Sequence, residues 1–272
     1  MLYQRNYFEL SPNEISQLDK AEKYYKKALK KNDGGLDGAE FIRYHEMLPN
    51  AYYNYSSLFP NNHILFDFEK HGKVIGQKLE GFAALVEAEE TTERDILNYI
   101  RTTESYFILE SLLMDFYTGN HEAYLFREFA LPPNYIVDFL LVGKNSGGYE
   151  FIFIEFESPN ADITLKDGNL GVAFRNGIKQ IEDWDLWLES NFSSLKNVFK
   201  KYKNPDVDLP EEFYELDKTR IHYIVVAGKR KDFTPKTYRL KRKNINGVKI
   251  LHYDNVLDQA NFYVYHRHKI QP

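Results

Sequence analysis

A chain of 272 residues with 43% hydrophobic and 16% aromatic side chains carries enough apolar surface for one large core or two modest ones, which excludes a disordered polymer. A formal net charge of -5 gives no overall basic field, so any contact with nucleic acid must come from local patches. The absence of cysteine excludes disulfides, thiolate nucleophiles and sulfur-built zinc sites, and it fits a reducing compartment, so the expected location is the cytoplasm.

The opening residues lack a basic segment followed by a continuous apolar stretch, and no window approaches about 18 apolar residues, so neither a signal peptide nor a membrane span is expected. Residues 11–35 predict a surface helix, capped at Ser11 or Asn13, rich in lysine toward its end and stopped at Gly34-Gly35. A short second helix is expected over 36–48, and residues 49–69 break into turns with room for a strand, Pro60-Asn61-Asn62 being a turn signal. From 72 to 120 the pattern is helical, interrupted at Thr91-Thr92 and at Thr102-Thr103, the second pair capping a helix from Glu104 to Phe116. The period then changes to two. Residues 122–131, 134–143 and 149–158 are strand-like runs joined by PPN and KNSGG, the chemistry of an antiparallel meander. A helix from Arg175 to Asn191, a polar loop over 203–212 and a strand over 221–228 follow.

This order predicts an α/β fold with a central mixed sheet flanked by helices on both faces. Residues 1–91 are expected to form a mainly helical region for assembly or for sensing a trigger, and 92–272 the second domain.

A run as apolar as Phe151 to Ile154 reads as a buried strand, and ionised carboxylates at its end are costly without a metal, a cation or a hydrogen-bond network. Side chains two apart on a strand share a face, so Glu155 and Glu157 point one way while Ile154 and Phe156 pack the other. If the preceding run pairs antiparallel through the KNSGG turn, Asp138 falls near Glu155 and three carboxylates gather at one site. Hard oxygen ligands clustered this way suit Mg²⁺ or Mn²⁺. The competing reading is bland: Asp138 meets solvent at a strand end, and the two glutamates line the exposed face of an edge strand.

Five landmarks occur in series: IVDFLLV at 136–142, FIFIEFESP at 151–159, GIKQIEDWDLWLESNF at 177–192, HYIVVAGKR at 222–230 and ILHYDNVLDQA at 250–260. In this order they resemble the Shedu anti-phage nuclease domain, a branch of the PD-(D/E)XK nucleases, over residues 92–260. The resemblance implies a restriction-endonuclease-like fold and a metal-dependent DNA endonuclease that hydrolyses phosphodiester bonds in prokaryotic defence. It further implies Mg²⁺ or Mn²⁺ on Asp138 and Glu155, and Gln180 facing the cleft to orient phosphate or water. The family pattern has a lysine two residues after the metal-binding Glu, where this chain has Glu157. Three accounts stay open: Glu157 is another ligand, a lysine such as Lys166 or Lys179 reaches in, or the site no longer cleaves and the chain binds nucleic acid or a partner protein.

Lys229 to Lys249 holds nine basic residues against the single acid Asp232, interleaved with aromatics. Lys229, Arg230, Lys231, Lys241, Arg242 and Lys243 are therefore candidate contacts to DNA phosphates, against the alternative of a solvated basic loop or hairpin. Lys23, Lys26, Lys27, Lys30 and Lys31 read as an ordinary solvated helix face. Trp184 and Trp187 read as core, and His266 and His268 as a solvated tail. GNLGVAF lacks the ending of a phosphate loop, and neither GxSxG nor HExxH occurs. The expected assembly is a homo-oligomer that acts on DNA and has no membrane association.

Overall fold

Ser11 and Glu14 start the first helix by reciprocal capping: the Glu14 carboxylate accepts the Ser11 amide at 2.8 Å, and the Ser11 hydroxyl lies 3.4 Å from the Glu14 amide. Pro12 takes the first helical position of α1 (Pro12–Lys31), where its missing N–H costs nothing. The computed structural model describes residues 2–3, 5–31, 35–64, 68–243 and 247–270, so Gly34 of the expected helix stop lies outside the described residues. The side chains of His266 and His268 lie outside them as well. Asp37 caps α2 (Gly38–Met47) by accepting the Glu40 amide at 2.7 Å. After α3 (Tyr52–Tyr55) the chain turns at Phe59–Asn62. The expected strand does not form among the described residues here, because Asn54 and backbone turns take up the local carbonyls. Residues 1–65 with 202–209 make one compact unit, closed by Asn204, whose side-chain amide donates to Tyr55 O at 2.9 Å.

The second unit comprises residues 66–201 and 210–272. It opens with α4 (Phe68–Glu87), which packs on the last helix, followed by α5 (Glu93–Thr102). Thr92 caps α5 in a reciprocal box with Asp95, as the Thr91-Thr92 interruption predicts. The helix expected from Glu104 to Phe116 is shorter and tighter. Glu104 is left-handed at φ 53, so helix resumes only at α6 (Phe107–Glu110) and continues as a 3₁₀ turn over Ser111–Phe116.

The three alternating runs form β1 (Glu122–Leu131), β2 (Tyr135–Asn145) and β3 (Gly148–Phe156), an antiparallel meander. α7 (Val172–Asn191) and α8 (Leu195–Phe199) carry the chain across, and β4 (Ile221–Val226) then pairs parallel to β3. The basic stretch is a helix, α9 (Pro235–Arg242), capped by Thr234 with Pro235 inside its first turn, where a loop or hairpin was the alternative expectation. β5 (Val248–Leu251) and α10 (Tyr253–Ile270) complete a mixed five-stranded sheet in the order β1-β2-β3-β4-β5.

Each sheet face buries its own aromatic layer. Phe151 and Phe126 pack with Phe199 below α7 and α8, while Phe156 meets Tyr253 of α10 on the other side. Trp184 and Trp187 are buried in the α7 layer, as their spacing predicts. No helix among the described residues is long and apolar enough to cross a membrane.

α7 lies unusually close to the sheet at Gly177, where an added Cβ would sit 2.8 Å from Val225 Cγ1 and 3.5 Å from Glu157 Cγ. The Glu157 distance is an ordinary contact, but Val225 is a short β-branched side chain on β4 with little room to give. Gly177→Ala should therefore destabilise the fold by about 1–3 kcal/mol, read as a lowered urea midpoint at unchanged slope.

Candidate functional site

The β2–β3 register pairs Phe139 with Ile154, so Asp138 falls at the next position, beside Glu155 and on the same face. Asp138 Oδ2 accepts the Phe156 amide at 2.9 Å, which fixes the carboxyl against the end of β3. Glu155, only 6% exposed, accepts the side-chain amide of Gln180, which α7 projects toward the sheet. The Glu157 amide donates to Val226 O at 2.8 Å and the Tyr253 hydroxyl donates to Glu157 O at 2.7 Å. The Glu157 backbone is thus held on both sides, by a β4 carbonyl and by the Tyr253 hydroxyl, while its carboxyl stays half-buried.

Burial drives the charge state of this group. Desolvation pushes the Asp138 carboxyl up to about 7, with Glu93 and Glu128 adding repulsion. Glu155 is pushed up to about 9 by burial and by the neighbouring Asp138, Glu93 and Glu157, against a smaller lowering from Gln180. Glu157 rises to about 7 for the same reasons, burial first, then Glu93 and Asp138. Among the described residues no lysine, arginine or histidine forms an ion pair with Asp138, Glu155, Glu157 or Glu93. Among the described residues the acids repel one another with no ion-pair partner.

Oxygen-only donors of this kind match the preference of a hard divalent cation. The side chains do not form a finished cage: among the described residues no three Asp, Glu or His groups are already arranged around one ion position. Asp138 and Glu155 come together as the register predicts, whereas Glu157 is coupled to them electrostatically.

Two acids at the site gave no sequence signal. Glu93 is the first residue of α5, and burial raises its carboxyl too. An acid there reads from sequence as a complement to the helix dipole. Glu128 sits on β1 where the ladder steps from Arg127↔Phe139 to Phe129↔Val137, opposite Asp138, in a left-handed conformation at φ 47. That conformation costs a non-glycine residue about 1–2 kcal/mol, and pattern alone does not reveal it.

The basic candidates separate by environment. Lys229 is 2% exposed and donates to Glu87 O at 3.2 Å, which removes it from the surface. Arg230 is paired with Asp258, and its amide donates to Asp254 at 2.7 Å. Lys241 is partly buried on Asn255 at 2.6 Å, and desolvation lowers its ammonium to about 8. Lys231, Arg242 and Lys243 are exposed. Lys166 and Lys179 are exposed as well, and neither pairs with the acidic group.

A mixed sheet whose adjoining strands end in desolvated carboxylates, roofed by a helix that contributes a fixed amide, defines an α/β protein with an acidic site at the sheet end. The family model described as "Shedu protein SduA, C-terminal" matches residues 90–257, more than half of the chain, and the protein belongs to this Shedu family. No curated protein sequence matches the chain.

Carboxyls whose folded pKa exceeds the unfolded value bind extra protons in the native state, so stability declines as pH rises. The decline begins above the usual carboxylate range of about 4 and runs through about 7 for Asp138 and Glu157 and about 9 for Glu155. In metal-free buffer the melting temperature should fall between about pH 5 and pH 9. Glu155→Gln should flatten that fall, as differential scanning calorimetry would show.

Proposed function

We propose that this Shedu-family protein, whose family points to anti-phage defence, is a metal-dependent DNA endonuclease that hydrolyses phosphodiester bonds. The observation that carries this reading is the pairing of Asp138 with Glu155 at a desolvated strand end, with no cation beside them among the described residues. Asp138 and Glu155 would hold Mg²⁺ or Mn²⁺, with Glu157 and Glu93 able to turn toward it. When bound, the ion supplies charge stabilisation for phosphate and lowers the pKa of an attacking water. The Phe156 amide keeps the Asp138 carboxyl aimed into the site, and Gln180, anchored on Glu155, can orient phosphate or water. Lys231, Arg242 and Lys243 supply exposed charge for DNA phosphates around α9. Homo-oligomerisation through the N-terminal unit, whose α2 exposes Phe41 and Ile42, and a cytoplasmic location belong to the same reading.

A second reading has its own observation. Glu157 stands where the family pattern has lysine, and neither Lys166 nor Lys179 pairs with the acids. The same fold would then bind nucleic acid or a partner protein without cleaving. Glu157→Lys separates the two: cleavage created where the native chain has none identifies an inactive relative.

Plasmid incubated with native protein and Mg²⁺ or Mn²⁺ should be nicked, and Asp138→Ala should lower the rate by about a hundredfold or more, the scale of several kcal/mol of lost charge stabilisation. Full activity in Asp138→Ala would reject the reading. Replacing Arg242 with Ala should weaken DNA binding across sequences and reduce the salt slope by about one, measured by fluorescence anisotropy at several salt concentrations.

A further inference from the structure

We propose that Asn160 is a positioning residue whose side-chain amide clasps the turn between α4 and α5, holding Glu93 against Asp138, Glu155 and Glu157. The inference rests on the metal-site reading above and adds a residue that touches none of the carboxylates itself.

Beyond β3 the chain passes through Ser158 and Pro159, and Asn160 Nδ2 then donates to Ala88 O at 2.9 Å and to Thr91 O at 3.0 Å. From the end of β4, Lys229 donates to Glu87 O at 3.2 Å. Lys229 and Asn160 thus serve the Glu87 and Ala88 carbonyls at the end of α4, and Asn160 also reaches Thr91 O just before the cap of α5. They also tie the 87–92 turn to the chain just beyond β3, which carries Glu155, and beyond its neighbour β4. Asn160 reaches carbonyls 72 and 69 positions back in the chain, so the two bonds are a tertiary clasp and not a local turn.

The turn is stiff between the clasp and the carboxyl. Thr91 is buried and donates its hydroxyl to Leu85 O at 2.6 Å. Thr92 accepts the Asp95 amide at 3.3 Å, and its own amide donates to Asp95 at 2.9 Å, so α5 begins at Glu93 in a fixed direction. Glu93 repels Asp138, Glu155 and Glu157, so it belongs to the acidic group although it comes from a helix and not from the sheet. Its place therefore depends on the 87–92 turn, where Asn160 holds Ala88 O and Thr91 O and Lys229 holds Glu87 O.

Mn²⁺ titrated calorimetrically into the full chain reads this directly, without relying on cleavage. Asn160→Ala and Asn160→Asp, the latter keeping the shape but losing both amide donors, should each weaken Mn²⁺ by about tenfold or more while retaining a cooperative melt. Glu93→Gln should give a similar loss, and the Asn160→Ala/Glu93→Gln double variant should be no weaker than Glu93→Gln alone, because both act through one carboxylate. Native affinity in either Asn160 variant, or additive losses in the double variant, would overturn the positioning role while leaving the metal site standing. A native chain that binds no Mn²⁺ overturns the metal reading and this role together. If Asn160→Ala fails to fold, Asn160→Asp decides.

Discussion

The antiparallel register between β2 and β3 is the constraint from which the site follows. Strand side chains alternate with a period of two, so a slip of one residue would send Asp138 to the opposite face from Glu155 and dissolve the pair. The KNSGG turn fixes the register from one end: Asn145 pairs with Gly148, Gly147 donates to the Asn145 side chain at 2.7 Å, and Gly148 takes φ 111. That φ lies in the left-handed region that glycine enters freely. At the other end the Asp138 carboxyl accepts the Phe156 amide, so a side chain continues the ladder where backbone pairing stops.

Burial and the neighbouring acids work against the charge this pair carries, and outweigh the Phe156 and Gln180 amides that favour it. Phe139 meets Phe156 edge-on and Phe156 packs at a tilt on Tyr253 beneath the strand end, and α7 covers the other side at the close approach through Gly177. The apolar packing that stabilises the sheet also removes water from Glu155, and removal of water is the larger cause of its raised pKa. Stability and function therefore pull on the same residues. A core built only for stability would place leucine or valine at 155, whereas this one keeps an acid and satisfies it with a single amide from Gln180.

Much of this was legible in the sequence where neighbours in space are neighbours in the chain. The meander of β1, β2 and β3, the helix α7 with its buried tryptophans and the Asp138–Glu155 pairing all depend on periodicity and short turns. β5 and α10 were not resolved as elements. β5 has only four residues and is defined by its parallel pairing with β4, which no local signal encodes. Lys229 resembles its basic neighbours in sequence, yet its ammonium is committed to a carbonyl 142 positions away. Glu93 was hidden by ambiguity, because an acid at a helix start has a sufficient local explanation. The start of the first helix is legible because capping is decided within four residues, and of the two candidates, Ser11 and Asn13, the structure uses Ser11.

Glu128 bears on how the position can drift over generations. Its left-handed backbone opposite Asp138 would be more comfortable for glycine or asparagine, and β-branched residues would be penalised there. Drift under selection for folding alone would favour the relaxed residue, and a lineage that had lost its use for the acidic cluster would be free to take it. A charged side chain held at a rung where glycine would relax the backbone trades folding energy for an acid opposite Asp138.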